Sequence, residues 1–302
     1  MLYQMEKYTS IKNTIIYVLI IVIGVGIIVG SFVLSSKYLI SKTEEIEKEQ
    51  LNIEEKNNDS IMNLGNKRVI SEHNAESIKK YILPSWNPNA QENIRSIYFL
   101  QQKVAYLTFD DGPSGLTEAV LNILKEEKVP ATFYVVGSRV DLNPNIVKRA
   151  YNEGHYIANH GYTHVYSTIY EVPQNVLNEY LQCEQSIKNA INNQEYNSYL
   201  FRFPGGSSGG KYERVKSEAK TLLTENNITF TNWNCLTGDA AGSKTPEDII
   251  NTFNETRANQ GGLIVLMHDA ADKQLTVDTL NQVIQTLKNE GYVFKNFYEI
   301  FK

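Results

Sequence analysis

An α/β fold is predicted for this chain, a distorted or incomplete (β/α) barrel with its active site at the carboxyl ends of the strands. Three observations predict it. From residue 103 onward, short apolar runs alternate with stretches of helical periodicity, the pattern of a parallel sheet covered by helices. The units number about seven, which suits an incomplete barrel better than a closed one of eight. Polar and ionisable residues collect where the apolar runs stop, as expected if each strand end lines one site.

The chain has 302 residues and a formal net charge of -5, so nucleic acid is not an expected partner. Residues 14–34 carry no charge and are long enough, as a helix, to cross a hydrocarbon core of about 30 Å. The run exceeds the apolar part of a secretory signal, and no good cleavage site follows it. An uncleaved anchor is therefore expected, with residues 1–13 as a cytoplasmic tail. Lysines flank the span almost equally, so charge balance leaves its orientation to be decided by function. Residues 35–68 are charged and Asn-rich, with too little apolar surface to bury, and are expected to form a solvated linker. Residues 69–102 hold scattered apolar side chains, with Pro84 and Pro88 excluding a long helix. They are expected to form an N-terminal extension packed on the domain at 103–302.

Within that domain strands are expected at 103–107, 131–136, 155–158, 199–203, 228–233, 263–267 and 292–294. The helices between them are expected to include 173–192, 212–225, 246–258 and 276–289. Two cysteines, Cys183 and Cys235, lack a zinc-type spacing and are expected as buried free thiols.

The first strand runs into Thr108-Phe109-Asp110-Asp111-Gly112-Pro113. Gly-Pro cannot continue a strand, so the pleat breaks and both carboxylates can face one cavity. Their repulsion calls for a cation nearby. His160 and His164 are spaced as a pair that meets on one face of a helical turn, and Asp111 would complete three ligands with one position open. Taken alone, the same residues could be helix caps and surface histidines. Further features mark three other strand ends: Arg202-Phe203-Pro204-Gly205-Gly206, Asn232-Trp233, and Leu266-Met267-His268-Asp269.

In that order the motifs TFDDGP, HxxxH, RxPxG, a Trp-bearing strand end and LxH resemble the polysaccharide deacetylases of carbohydrate esterase family four, the NodB homology domain. The resemblance covers residues 103–302 and implies a distorted (β/α) barrel that removes N-acetyl groups from amino-sugar polymers with a metal ion. Carried over by motif, Asp110 resembles the general base, Arg202 the residue that orients it, and His268 the general acid. Asp111, His160 and His164 resemble the metal ligands, and Gly205, Trp233 and Leu266 the substrate pocket. The cofactor implied is one divalent ion, zinc first, with cobalt, nickel or manganese also compatible.

With the membrane span, this points to a single-pass, extracytoplasmic, monomeric enzyme. It would deacetylate N-acetylglucosamine in a cell-wall polysaccharide, peptidoglycan first. The same residues would serve an enzyme acting on N-acetylmuramic acid, poly-N-acetylglucosamine or O-acetylated xylan, and an idle wall-binding protein could share the fold. One departure stands out. Many relatives have Asp before the strand-end Trp, paired with the general-acid His, where this chain has Asn232. His268 is therefore expected to lose its proton at lower pH than in those relatives, unless Asp239 or Asp269 compensates.

Overall fold

The computed structural model describes residues 83–302. The expected span at 14–34, the linker at 35–68 and the first part of the extension lie outside them. Among the described residues no helix is long and apolar enough to cross a membrane. The described chain runs α1 (Ala90–Ile97), β1 (Val104–Asp110), α2 (Gly115–Glu127), β2 (Thr132–Val135), α3 (Gly137–Leu142), α4 (Pro144–Asn152), β3 (Tyr156–Asn159), α5 (Tyr166–Ile169) and α6 (Pro173–Ile191). It continues through β4 (Leu200–Phe201), α7 (Glu213–Glu225), β5 (Thr229–Phe230), β6 (Cys235–Leu236), α8 (Pro246–Arg257), β7 (Gly262–His268), α9 (Gln274–Asn289) and β8 (Val293–Lys295).

All the strand pairings are parallel, in the order β5-β4-β3-β2-β1-β7-β6. Strand β1 lies at the centre. Its partner along one edge is β7 throughout, while β8 pairs with Val104–Tyr106 and β2 with Thr108–Asp110 on the other edge. Every residue of β1 is buried, so the strand is apolar on both faces up to Leu107, and the polar Thr108 and Asp110 come only at its carboxyl end.

Connectivity shows that the sheet curls. Strands β5 and β6 are consecutive in sequence yet stand at opposite ends of the order. Laid flat, those edges would be roughly 29 Å apart at the usual strand spacing. The link from Phe230 to Cys235 can reach only about 17 Å when fully extended. The edges must therefore face each other across a gap, which is the geometry of an incomplete barrel. A continuous strand over 228–233 is not what forms: β5 stops at Phe230, the next four residues cross the gap, and β6 forms on the far side. The only local hint is Asn232 and Asn234, residues that favour turns over strands; that the chain crosses a gap there to a far strand is decided by the curl of the sheet.

Helix α1 lies along the gap. The Gln91 side chain donates to Phe230 O (3.1 Å) and accepts from Phe230 N (3.3 Å), taking the place of a neighbouring strand for β5. Across the gap, Asn234 does the same for β7, donating to Gly262 O and accepting from Ile264 N, both at 2.8 Å. The end of α1 also approaches β7 so closely that a Cβ on Gly262 would fall 1.8 Å from Ile97 O.

Strand alternation divides the core. From β1, Ala105, Leu107 and Phe109 point outward into a cluster with Val120, Leu121 and Leu124 of α2 and Leu280 and Ile284 of α9. Val104 and Tyr106 point inward, where Tyr134, Tyr156, Leu200, Ile264 and Phe297 meet Ala90, Ile94 and Ile97 of α1. The barrel interior is thus packed at its base, and truncating one of these inward aliphatic residues to Ala is expected to cost about 2–5 kcal/mol. Helix starts are secured locally. Ser114 and Thr117 form a capping box on α2, and Thr245 and Asp248 form one on α8. Cys183 and Cys235 are buried free thiols.

Candidate active site

The alternation that fills the base also builds the site. Continuing inward along each strand, Tyr106 leads to Thr108 and Asp110, Ala158 to His160, Leu200 to Arg202, and Ile264 to Leu266 and His268. Asp110 and His268 are register partners on adjacent strands. Four chemically active side chains therefore share the rim: Asp110 and His268 end their strands, and His160 and Arg202 directly follow theirs in the same inward phase.

Arg202 is fully buried and ties the rim together. Its Nη1 donates to Asp110 Oδ1 and to Thr108 Oγ1, both at 2.8 Å, and its Nη2 donates to Asn232 O at 3.1 Å. The guanidinium lies 4.0 Å from the centroid of the Tyr134 ring, so it is held by an aromatic face as well as by acceptors. One Asp110 oxygen is thereby anchored, while the other faces His160 Nε2 at 3.8 Å.

Asp111 follows the strand with φ 71°, a left-handed conformation that turns its carboxylate away from the pleat. Its carbonyl accepts from Arg139 Nη1, a contact that secures the turn. Asp111 Oδ1 lies 3.1 Å from His164 Nε2 and 3.5 Å from His160 Nε2. Among the described residues, Asp111, His160 and His164 are the group whose donor atoms could hold one metal ion. Two details fit that role. His160 Nδ1 lies 2.7 Å from Arg202 O, so it carries the proton and leaves the Nε2 lone pair facing Asp111. Among the described residues Asp111 Oδ1 is buried with no aligned hydrogen-bond donor, an orphan that a cation would satisfy.

Electrostatics agree with the geometry. Burial alone would raise the Asp111 pKa, but the His164 contact and the charges of His160, His164 and His268 outweigh it and hold the carboxyl well below its usual range. Burial dominates at His160 and pushes it below the usual imidazole value despite Asp110 and Asp111, which favours the neutral, ligating form. His268 behaves oppositely. Burial works against its charge, yet the hydrogen bond and negative charge of Asp239, with smaller contributions from Asp110 and Asp111, raise its pKa to about 9.

A cavity of ≈ 360 Å³ opens over these groups, its walls including Trp233, Leu266, Tyr166 and the backbone of Gly205. The sequence signature described as polysaccharide deacetylase matches residues 100–231. A curated peptidoglycan-N-acetylglucosamine deacetylase of Bacillus cereus is 32% identical over 204 residues, 66% of this chain and 71% of that protein. The chain belongs to the polysaccharide deacetylase family.

Solved structures of family members are similar too. A carbohydrate esterase family four esterase of Streptococcus mutans superposes with a TM-score of 0.62 at 28% identity, covering 70% of this chain and 92% of that one. The catalytic domain of a peptidoglycan N-acetylglucosamine deacetylase from Eubacterium rectale gives 0.59 at 29% identity, over 64% and 88% of the two chains.

Two expectations need correction for this family member. The HGYTH segment is not a helical turn. It is a loop in which Gly161 has φ 86° and His164 φ 57°, so the imidazoles converge through left-handed backbone rather than helical spacing. Glu179 of α6 holds that loop: its carboxylate accepts from Tyr162 N (2.6 Å), Thr163 N (2.7 Å) and Thr163 Oγ1 (2.8 Å).

Asn232 does not occupy the place of the partner of His268. Its amide accepts from Ser207 N and donates to Ser207 Oγ, which braces the Gly205–Ser207 turn. The partner is Asp239, whose Oδ1 lies 3.0 Å from His268 Nδ1 and whose Oδ2 accepts from His268 N (2.6 Å) and Thr276 Oγ1 (2.8 Å). Asp239 thus supplies the compensation the sequence left open, and His268 keeps its proton to higher pH rather than losing it earlier as Asn232 alone would imply; the small Ala240, not a Trp, follows the carboxylate partner. Asp269 plays no part in compensation. It points to Thr117 Oγ1 (2.5 Å), and burial raises its pKa to about 7. Glu179 and Arg139 had no signal in sequence, since each acts on backbone brought near it only by folding.

Proposed function

We propose that this chain hydrolyses N-acetyl groups from N-acetylglucosamine residues of peptidoglycan, outside the membrane, with residues 14–34 as its anchor. One observation carries the chemistry: a histidine–aspartate triad suited to a metal ion shares a single cavity with an Arg-oriented carboxylate and a protonated imidazole. Membership in the polysaccharide deacetylase family, and relatives with peptidoglycan N-acetylglucosamine deacetylase in their names, support the substrate.

Asp111, His160 and His164 would hold one divalent ion, zinc first, although cobalt, nickel or manganese suits the same donors. When bound, such an ion polarises a carbonyl and lowers the pKa of water. The chain's own residues do the rest. Asp110, with Oδ1 fixed by Arg202, is oriented to take a proton from an attacking water through its other oxygen. The Gly205 N–H lines the cavity and finds no acceptor among the described residues, so it can donate to the developing oxyanion. Trp233 and Leu266 offer apolar wall to the acetyl methyl and keep water from that side. His268, charged at neutral pH with Nδ1 against Asp239, presents Nε2–H to the departing amine nitrogen. The products are acetate and a free amino sugar.

The test is acetate release from purified cell wall, with mass analysis of the muropeptides. Activity is expected to vanish on chelation, return with one divalent metal, and be lost in Asp110→Asn. Unmodified muropeptides after incubation with metal-loaded wild type would refute the substrate. Recovery of a chain lacking residues 14–34 from the membrane fraction would refute the anchor.

A further inference from the structure

A second cavity, ≈ 260 Å³, lies behind the wall of the first. Near neighbours in sequence line the two: Trp233 the catalytic cavity and the adjacent Asn232 the second, Gly205 the first and, across Gly206, Ser207 the second. At Asn232 and Trp233 the wall is one backbone thick, since adjacent residues serve opposite cavities; at the other place the left-handed Gly205 and Gly206, φ 72° and 82°, turn the chain from one cavity to the other.

The lining of this cavity has one sign of charge. Arg95 from α1 and Lys220 from α7 both face it, and among the described residues no Asp or Glu does. Neither cation forms an ion pair among the described residues, and Lys220 Nζ lies 5.8 Å from the centroid of the Phe230 ring. Ser207 adds a neutral donor. It is 3% exposed, its Oγ accepts from Asn232 Nδ2, and its hydroxyl hydrogen has no acceptor among the described residues. Two unpaired cations and a buried hydroxyl around a space roomy enough for more than a single small ion are the recognition chemistry of an oxyanion with a chain attached.

We propose that this cavity binds an anionic group, a carboxylate or phosphate, carried by the polymer beside the sugar being deacetylated. The inference rests on the proposed function for its substrate, and it adds to it. A glycan lying across Gly205 would meet the catalytic cavity on one side of the turn and the cationic one on the other. Stem-peptide carboxylates supply the anion in peptidoglycan, and free phosphate offers the same chemistry from solution. Charge on the polymer, rather than the sugar alone, would then distinguish peptidoglycan from a neutral amino-sugar chain.

The double variant Arg95→Gln/Lys220→Gln tests this, both side chains being at least partly exposed and uninvolved in the core. KM is compared on glycan strands bearing stem peptides and on neutral N-acetylglucosamine oligomers of equal length. The expected result is an increase of about tenfold on the peptide-bearing strands, within twofold on the neutral oligomer, with kcat unchanged on both. Inorganic phosphate that raises the Tm of the wild type but not of the variant, with KM moving on neither substrate, would assign the cavity to a solution anion and overturn the polymer-borne one. An equal KM change on both substrates, or no KM change together with no phosphate effect, overturns the proposal. Calorimetric binding of the peptide-bearing strands to wild type and variant gives a readout apart from turnover. A wild type inactive on every substrate would sink the deacetylation reading, while this binding difference would still decide the second cavity.

Discussion

Replacing Asp239 by Asn should move the alkaline limb of the pH–rate profile. The two Asp239 oxygens serve two sets of donors, His268 Nδ1 on one side, and His268 N with Thr276 Oγ1 on the other. An Asn has one oxygen, so its NH₂ must face a donor on one side, and the negative charge is gone. His268 then keeps the burial that opposes its charge and loses the strongest influences that favour it. Its pKa should fall from about 9 to near or below the ordinary imidazole value of about 6.5. A group with pKa about 9 is about 97% protonated at pH 7.5, whereas one at about 6 is only about 3% protonated, so kcat/KM should drop roughly 30-fold there and far less at pH 5.

Stability should respond with a definite sign. Because the folded-state pKa of His268 is raised, its contribution is complete below about 6.5 and disappears as pH rises through about 9. The difference between those two values corresponds to about 3 kcal/mol. The wild-type Tm should therefore fall between those pH values more steeply than that of Asp239→Asn. The assay is kcat/KM for acetate release from pH 5 to 10, with metal loading confirmed at each point. An alkaline limb that stays in place in Asp239→Asn refutes the assignment of His268 as the proton donor held by Asp239.

Asn232→Asp, by contrast, should leave that limb unmoved, because position 232 faces Ser207 rather than His268; a shift upward would restore Asn232 as the tuning residue. Glu179→Gln should weaken metal affinity by about 10- to 100-fold, since one amide cannot accept from Tyr162 N, Thr163 N and Thr163 Oγ1 together. Metal titration followed by calorimetry reads this directly, and unchanged affinity would show that the HGYTH loop holds itself. Gln91→Leu should lower the unfolding free energy through the two unpaired Phe230 backbone groups, by about 1–3 kcal/mol for each group left buried; denaturant unfolding measures it, and a neutral result would mean that water replaces the Gln91 amide.

Much of the site was legible because strand periodicity is local. An apolar run ending in TFDD, HGYTH, RFPGG or MHD already places Asp110, His160, Arg202 and His268 at the ends of buried segments. Parallel order then brings those ends to one rim. The boundaries of the long strands and helices follow for the same reason, since each residue answers mainly to its near neighbours in sequence. What the sequence left open was partner choice. Asp239 reaches His268 rather than Asn232 doing so, and Gln91 completes β5 from 139 positions away, only because the sheet curls until its first and last strands face each other. The same curl ends the expected strand at 228–233 early and sets Asn232 and Trp233 against two different cavities. A chain's pattern determines which residues lie at strand ends and which face they present. The closeness of two such ends depends on the curvature of the whole sheet, a sum over all its strands that no single segment carries.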